Sequence, residues 1–457
     1  MTSTWTHELS VTELDDDGLP STIYQVDSAT AHVKKRFAQK SDSITSRSIL
    51  QKCISPFLPA GYPSTVTPDY TPYQIWDSVQ AFASTIAGLL ASRAVFVGMG
   101  VGSEDASLVT TMLLYIAQET IGRVATILFA HRFSQRIEAE VKFYRFFADI
   151  VNDIAFVLDC LSPAMPMFGR VLTLCISNAC RAMCGVAGGS SKAILSSHFA
   201  KAGNIGELNA KDGSQETVIS LVGMWVGGLA VSKIQGTKAT WCFLVPLLML
   251  HLWANWQAVR SVRLNSLNSE RAAIFFTSLI DGRILIPEIV GEQESVLRRS
   301  DHGIDFQIGL DLNSFLQFMQ ASLRNRSSAL EEFGQVVEVF AKEDYLLWVD
   351  SRRKSGAMVL KESATAETQL KGFWQLVLCL HGNLPLTGDL KVQPDSSVAN
   401  SEALDVLVSS MHTIHGEWQK VRNQAQQAGW DLDATNLVKG QGRRIRVEIA
   451  SEDKKDK

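Results

Sequence analysis

Two stretches of this chain, residues 217–232 and 239–259, contain no Asp, Glu, Lys or Arg, and only a short polar turn carrying Lys233 and Lys238 separates them. The second is about 20 residues, enough for a helix to cross a hydrocarbon layer ~30 Å thick. Trp241, Trp253 and Trp256 stand toward its two ends, where indole rings anchor a span at the membrane interface. The first run is short for a span, so it is expected to tilt, re-enter or pack inside protein. Gly223, Gly227 and Gly228 give it a face of small residues, expected to let the two helices of a hairpin approach closely. A soluble protein could bury such a hairpin whole, but the length and the tryptophans favour a membrane.

The 457 residues are 46% hydrophobic and 20% charged, which excludes a disordered chain and allows about two or three domains. Lys plus Arg number 43 against 47 Asp plus Glu, a net charge of −4 that argues against nucleic acid as a partner. Seven cysteines at irregular spacing point to a reducing compartment rather than a disulfide framework. The start of the chain lacks the basic and apolar regions of a signal peptide, and Glu13 and Asp15 to Asp17 argue against an organelle transit peptide. The expected location is therefore an intracellular membrane, with the organelle open. Residues 1–50 are expected to form a variable, partly mobile arm.

Pro59, Pro63, Pro68 and Pro72 exclude a helix over residues 57–73 and predict an extended strap, with Phe57, Tyr62, Tyr70 and Tyr73 covering something apolar. From Gln74 to Cys184 apolar residues recur at helical spacing, the pattern of a helical bundle. Charges interrupt the apolar faces at Arg93, at Glu119 and Arg123, and at Arg145, Asp149 and Asp153. Pairs four residues apart are commonly solvated; in a membrane they would instead form a buried polar layer. Cys175, Cys180 and Cys184 lack the spacing of a zinc site, so no metal is expected.

Gly188-Gly189-Ser190-Ser191-Lys192 offers backbone N–H groups and one cation, and residues 204–215 add Asn204, Lys211, Asp212 and Gln215. Together they are a candidate anion-accepting mouth, although neither segment matches a P-loop. Asp212 and Gln215 alternatively read as a capping box opening the next helix. Beyond Arg260 the pattern is α+β: a helix over 264–279, a strand near 303–312, a hairpin over 344–361, helices over 365–379 and 404–429, a loop over 382–401 and a strand near 442–449. The expected fold is thus mainly α, a helical bundle (51–262) with membrane segments at 217–232 and 239–259, a smaller α+β domain (263–450) and a charged tail (451–457).

Several stretches together resemble the root UVB sensitive family: Phe57-Leu-Pro-Ala-Gly-Tyr-Pro-Ser-Thr-Val66, Tyr73-Gln-Ile-Trp-Asp77, Gly88-Leu-Leu-Ala-Ser-Arg93, Ala148-Asp-Ile-Val-Asn-Asp153, Cys184-Gly-Val-Ala-Gly-Gly189 and Ala210-Lys-Asp-Gly-Ser-Gln-Glu-Thr217. Gly429-Trp430 and the hairpin fit the same family more weakly. The resemblance implies a membrane-associated protein of vitamin B6 photoprotection and homeostasis, linked in plants to seedling responses to ultraviolet-B, with no established reaction. The expected partners are the membrane, a protein partner or paralogue, and a B6 vitamer that the chain binds, moves or scaffolds without catalysis. The alternative is an enzyme acting on a B6 vitamer or another phosphorylated small molecule at the two polar segments, with pyridoxal phosphate near Lys192 or Lys211.

Overall fold

The computed structural model describes residues 9–14, 20–27, 32–37, 55–99, 108–234, 236–297, 304–323, 329–381, 398–437 and 443–447. Among them are six long helices in succession: α1 (Tyr70–Gly98), α2 (Leu108–Ala139), α3 (Val141–Leu161), α4 (Met167–Phe199), α5 (Ile205–Lys233) and α6 (Thr237–Ser261). Four of them, α1, α2, α4 and α6, are long and apolar enough to cross a membrane. The fold is mainly helical, with a smaller C-terminal region that contains strands. The chain divides into two units, residues 1–101 with 192–258, and residues 102–191 with 259–457.

In the first unit the expected N-terminal arm contains a three-stranded antiparallel sheet, β1 (Leu9–Leu14), β2 (Pro20–Asp27) and β3 (His32–Phe37). Its signal is alternation, as in Leu9 and Val11 against Ser10 and Thr12, which the acidic residues that follow hid. The strap runs as expected through turns from a short 3-10 segment at Ser55–Phe57, with one exception. Pro72 lies inside the first turn of α1, where the N–H it lacks would have had no helical partner.

Gly223 and Gly227 do not bring α5 onto α6 as the sequence suggested; they bring it onto α1. A Cβ on Gly223 would stand 3.0 Å from the Thr85 Cβ, and one on Gly227 2.8 Å from the Leu89 Cδ1. The small face therefore serves close helix contact, with a different partner. The capping box is also overturned, because α5 begins at Ile205, not after Asp212. Buried Leu208 anchors that early first turn.

In the second unit, Arg145, Asp149 and Asp153 follow the inward face of α3. The C-terminal region begins with β4 (Ser266–Asn268) and α7 (Ser269–Ile280), then α8 (Pro287–Gln293), β5 (Asp305–Ile308), α9 (Leu312–Ser322) and α10 (Ala329–Val339). It continues with the hairpin β6 (Tyr345–Asp350) and β7 (Ser355–Lys361), α11 (Ala366–His381), α12 (Val398–Gln427), β8 (Asp431–Asn436) and β9 (Arg444–Ile445). Strand β7 pairs with antiparallel β6 and with parallel β5 and β9; β4 pairs in parallel with β8. Phe275, Phe276, Phe306, Tyr345 and Phe373 form the heart of its core. Gly429 has φ +96°, a conformation that favours glycine, and this turn delivers Trp430 into the core with its indole N–H donating 2.7 Å to the Leu285 carbonyl. Most of the expected loop at 382–401, and the tail at 451–457, lie outside the described residues.

Candidate functional site

The polar residues of α5 that read as a loop stand instead on two faces of a helix. Glu207, Lys211 and Gln215 recur every four residues, so they share one face. All three hold the strap: the Glu207 carboxylate accepts the Ala60 N–H at 2.7 Å, the Lys211 ammonium donates to the Pro56 carbonyl, and the Gln215 amide donates to the Phe57 carbonyl at 2.6 Å. The far end of the strap is fixed by backbone, through the Thr67 N–H to the Phe199 carbonyl and the Lys201 N–H to the Thr65 carbonyl, both 3.1 Å. His198 pairs with Asp69 at 2.9 Å.

Beneath this fastened strap lies a cavity of about 280 Å³. The strap walls it on one side with Phe57, Leu58 and Tyr62, α1 contributes Tyr70, Thr71, Gln74, Ile75 and Ser78, and α5 adds Gln215, Val218 and Ile219. Tyr70, Gln74 and Ser78 follow the four-residue spacing of one helix face. The lining thus combines aromatic and aliphatic surface with hydroxyl and amide groups, and it contains no cation. The Tyr62 hydroxyl and Thr71 Oγ1 share a hydrogen bond of 2.6 Å at its rim.

The second polar face of α5 meets Lys192. Its ammonium lies 2.8 Å from Glu216, 3.3 Å from Asp212 and 3.3 Å from Asp77. Gln74, which lines the cavity, also donates to Asp212 at 2.9 Å and so connects the two places. Three carboxylates around one ammonium leave a formal excess of negative charge. This opposes the anion-accepting role expected of Lys192, and Lys211 is likewise engaged, with the strap. Gly188, Gly189 and Ser190 lie in the interior of α4, where helical bonding uses their N–H groups, and Gly188 rests 3.6 Å from the Ala148 Cβ. Asn204 precedes α5 without a side-chain capping bond. Of the expected mouth, the structure brings together Lys192 and Asp212, and places Lys211 and Gln215 on the strap.

The candidates for a polar layer separate into three places. Arg145 and Asp149 form a buried pair at 3.1 Å with Asp153 buried on the same helix. Arg93 donates to the Val231 carbonyl at 3.2 Å and to the Ile234 carbonyl, at the end of α5. Glu119 and Arg123 face outward on α2, their side chains 39% and 80% exposed. Sequence reasoning missed the buried Asp159 with Ser177 and Arg181, whose signal is a carboxylate one turn beyond Ala155 on the same apolar helix. It also missed Gln80 and His251, which face one another inside the first unit at 3.5 Å. Among the described residues no group of His, Cys, Asp and Glu is placed to hold a metal. Burial pushes the Cys160 thiol up to about 12, so it is an inert packing group.

The family model for the vitamin B6 photo-protection and homoeostasis domain matches residues 43–283, which include the strap, the cavity and the Lys192 cluster. The model for the root UVB sensitive protein C-terminal region matches residues 283–443. The chain belongs to the root UVB sensitive family. Relatives in that family include RUS family member 1 of Dictyostelium discoideum, 36% identical over 284 residues, 60% of this chain and 53% of that protein. Protein root UVB sensitive 3 of Arabidopsis thaliana is 34% identical over 251 residues, 54% of this chain and 57% of its own length. Each match therefore spans little more than half of the curated relative. Protein root UVB sensitive 5 of Arabidopsis thaliana aligns more extensively but more distantly, 22% identical over 399 residues, 83% of this chain and 74% of that protein. No solved structure matches the family member described here.

Proposed function

We propose that this root UVB sensitive family protein is an integral membrane protein that binds an unphosphorylated B6 vitamer in the cavity beneath the strap, and serves vitamin B6 homeostasis by holding or moving that ligand without transforming it. The observation that carries this reading is the lining of the cavity. A B6 vitamer without its phosphate is a small heteroaromatic ring bearing hydroxyl groups, which aromatic walls and the Thr71, Gln74, Ser78 and Gln215 side chains complement. At about 280 Å³ the cavity lies near the lower end of small-molecule sites, ~300–1,000 Å³. A phosphate would meet no cation in the lining and would approach the carboxylates around Lys192. Membrane insertion is supported by the four apolar helices and by large outward-facing side chains such as Met249 and Trp225.

Binding of pyridoxine, pyridoxal and pyridoxal phosphate to the full chain in lipid nanodiscs tests the reading. Saturable binding of an unphosphorylated form, with the phosphate form at least roughly tenfold weaker, is the expected result, a difference of about 1.4 kcal/mol. Ser78→Leu fills the cavity and should abolish that binding while thermal stability stays near that of the wild type. Absence of saturable binding at millimolar ligand, or unchanged binding in Ser78→Leu, would overturn it.

A further inference from the structure

Charges inside a membrane normally turn toward protein or a water-filled cavity, and α2 departs from that arrangement. Between Leu108 and Ala130 the only ionised side chains are Glu119 and Arg123. At ~1.5 Å rise per residue they stand about 17 Å from Leu108 and about 11 Å from Ala130, the middle of the apolar stretch. Both face outward. Above and below them on the same side are Met112, Ile116 and Ile127, each more than half exposed. The Arg123 guanidinium is 3.6 Å from its own Glu119, a loose ion pair that leaves donors for a second carboxylate.

We infer that this face of α2 is the interface between two copies of the chain in the membrane, with Arg123 of each copy bonding Glu119 of the other; the inference rests on the membrane reading above. Charge complementarity selects a second copy as the occupant. A two-fold axis along the membrane normal sets two α2 helices parallel and in register. Each Arg123 then lies one turn from the partner's Glu119, the same axial offset as within its own helix. The four side chains close into a neutral ring, and the rows of Met112, Ile116 and Ile127 meet above and below it. A lipid tail offers neither charge nor hydrogen bond, so the same pair facing lipid would have only itself.

The test co-expresses full-length chains carrying two different affinity tags and captures one tag after mild solubilisation. Wild type should co-capture wild type. Glu119→Arg paired with itself places only cations in the ring, and Arg123→Glu paired with itself only anions, so each should lose co-capture by more than tenfold. Glu119→Arg paired with Arg123→Glu restores both signs and should restore co-capture. Equal capture in all pairings, or a single chain per nanodisc for the wild type, overturns the inference. Should a charge variant fail to accumulate, Ile116→Cys provides the independent reading in native membranes: oxidation should give a disulfide-linked dimer absent from the parent, and no such dimer overturns the inference. Carbonate extraction of the same membranes separates the two levels, because release of the wild-type chain refutes the membrane reading, whereas a retained but monomeric chain refutes the interface alone.

Discussion

Glu294 is a buried carboxylate of the second unit shared by two buried cations. It lies 2.7 Å from the Lys142 ammonium and 2.5 Å from the Arg271 guanidinium, and all three side chains are under 5% exposed. Asn268 ties the group to its surroundings, capping the Arg271 N–H at 2.8 Å and donating to the Ala139 carbonyl at 3.2 Å. Burial depresses the Lys142 pKa below its ordinary value, with Glu294 opposing the effect. Burial alone would raise Glu294, but Arg271 and Lys142 together bring it below the usual carboxylate range. Glu294→Gln therefore strands two buried cations, a class of change that costs roughly 3–5 kcal/mol. For a unit of this size that corresponds to a fall of roughly 6–20 °C in melting temperature.

The two cations respond differently to the loss. Lys142 can escape by losing its proton, whereas the guanidinium of Arg271 cannot. Removing Glu294 lowers the Lys142 pKa further, so over the window between the variant's value and that of the wild type the variant gains stability with rising pH while the wild type does not. The deficit should accordingly shrink as pH rises through that window. In the wild type, Glu294 stabilises above the ordinary glutamate pKa, and its contribution is lost as pH falls through its lowered folded value. Replacing the whole group, Lys142→Met with Glu294→Leu and Arg271→Met, exchanges an ionic cluster for apolar packing and should cost less than Glu294→Gln alone. Thermal unfolding of purified protein in detergent, followed across a pH series, measures all of this. A deficit under about 1 kcal/mol for Glu294→Gln, or a triple variant less stable than the single one, would refute the reasoning.

Three further outcomes follow from the geometry. Gly227→Ala should destabilise more than Gly228→Ala in a thermal shift assay, because a Cβ at 227 meets Leu89 at 2.8 Å and one at 228 has nothing within 4 Å. Lys192→Gln leaves Asp77, Asp212 and Glu216 facing one another, so it should lower stability by ~1–3 kcal/mol, allowing for the partial exposure of Lys192, and adding Asp212→Asn should recover part of that loss. Met249→Asp puts a carboxylate on the outward face of α6 and should increase release by carbonate, at a cost of ~3 kcal/mol for a mid-span charge; retention equal to wild type would count against α6 as a span.

The helices and the C-terminal hairpin were legible because their signal is local. Apolar spacing alone places α1, α3 and α6, and two short apolar runs on either side of a polar turn place β6 against β7. Partners are another matter. Arg145, Asp149 and Asp153 announced themselves by spacing, yet the same spacing puts Glu119 and Arg123 on an exposed face, since a four-residue interval says which residues share a side and nothing about what that side meets. The glycines of α5 declared a close contact without naming α1, and Gly188 looks the same in sequence whether it cradles a ligand or rests against Ala148.

The N-terminal half of α5 was illegible for a related reason. Gly206, Asn209 and Gly213 are weak helix formers, so local propensity reads residues 204–215 as a loop. What makes the segment helical is tertiary: Leu208 is buried, one polar face holds the strap and the other meets Lys192. The strap in turn has no regular pairing of its own along most of its length and depends on those same side chains. Each segment supplies bonds that order the other. The C-terminal half of α5 is held differently, by apolar contact of Gly223 and Gly227 with α1. The wall of the cavity at Val218 and Ile219 therefore belongs to a part fixed by close packing, while its cover belongs to a part fixed by a few polar bonds, and it is the cover that local opening can release at lower cost.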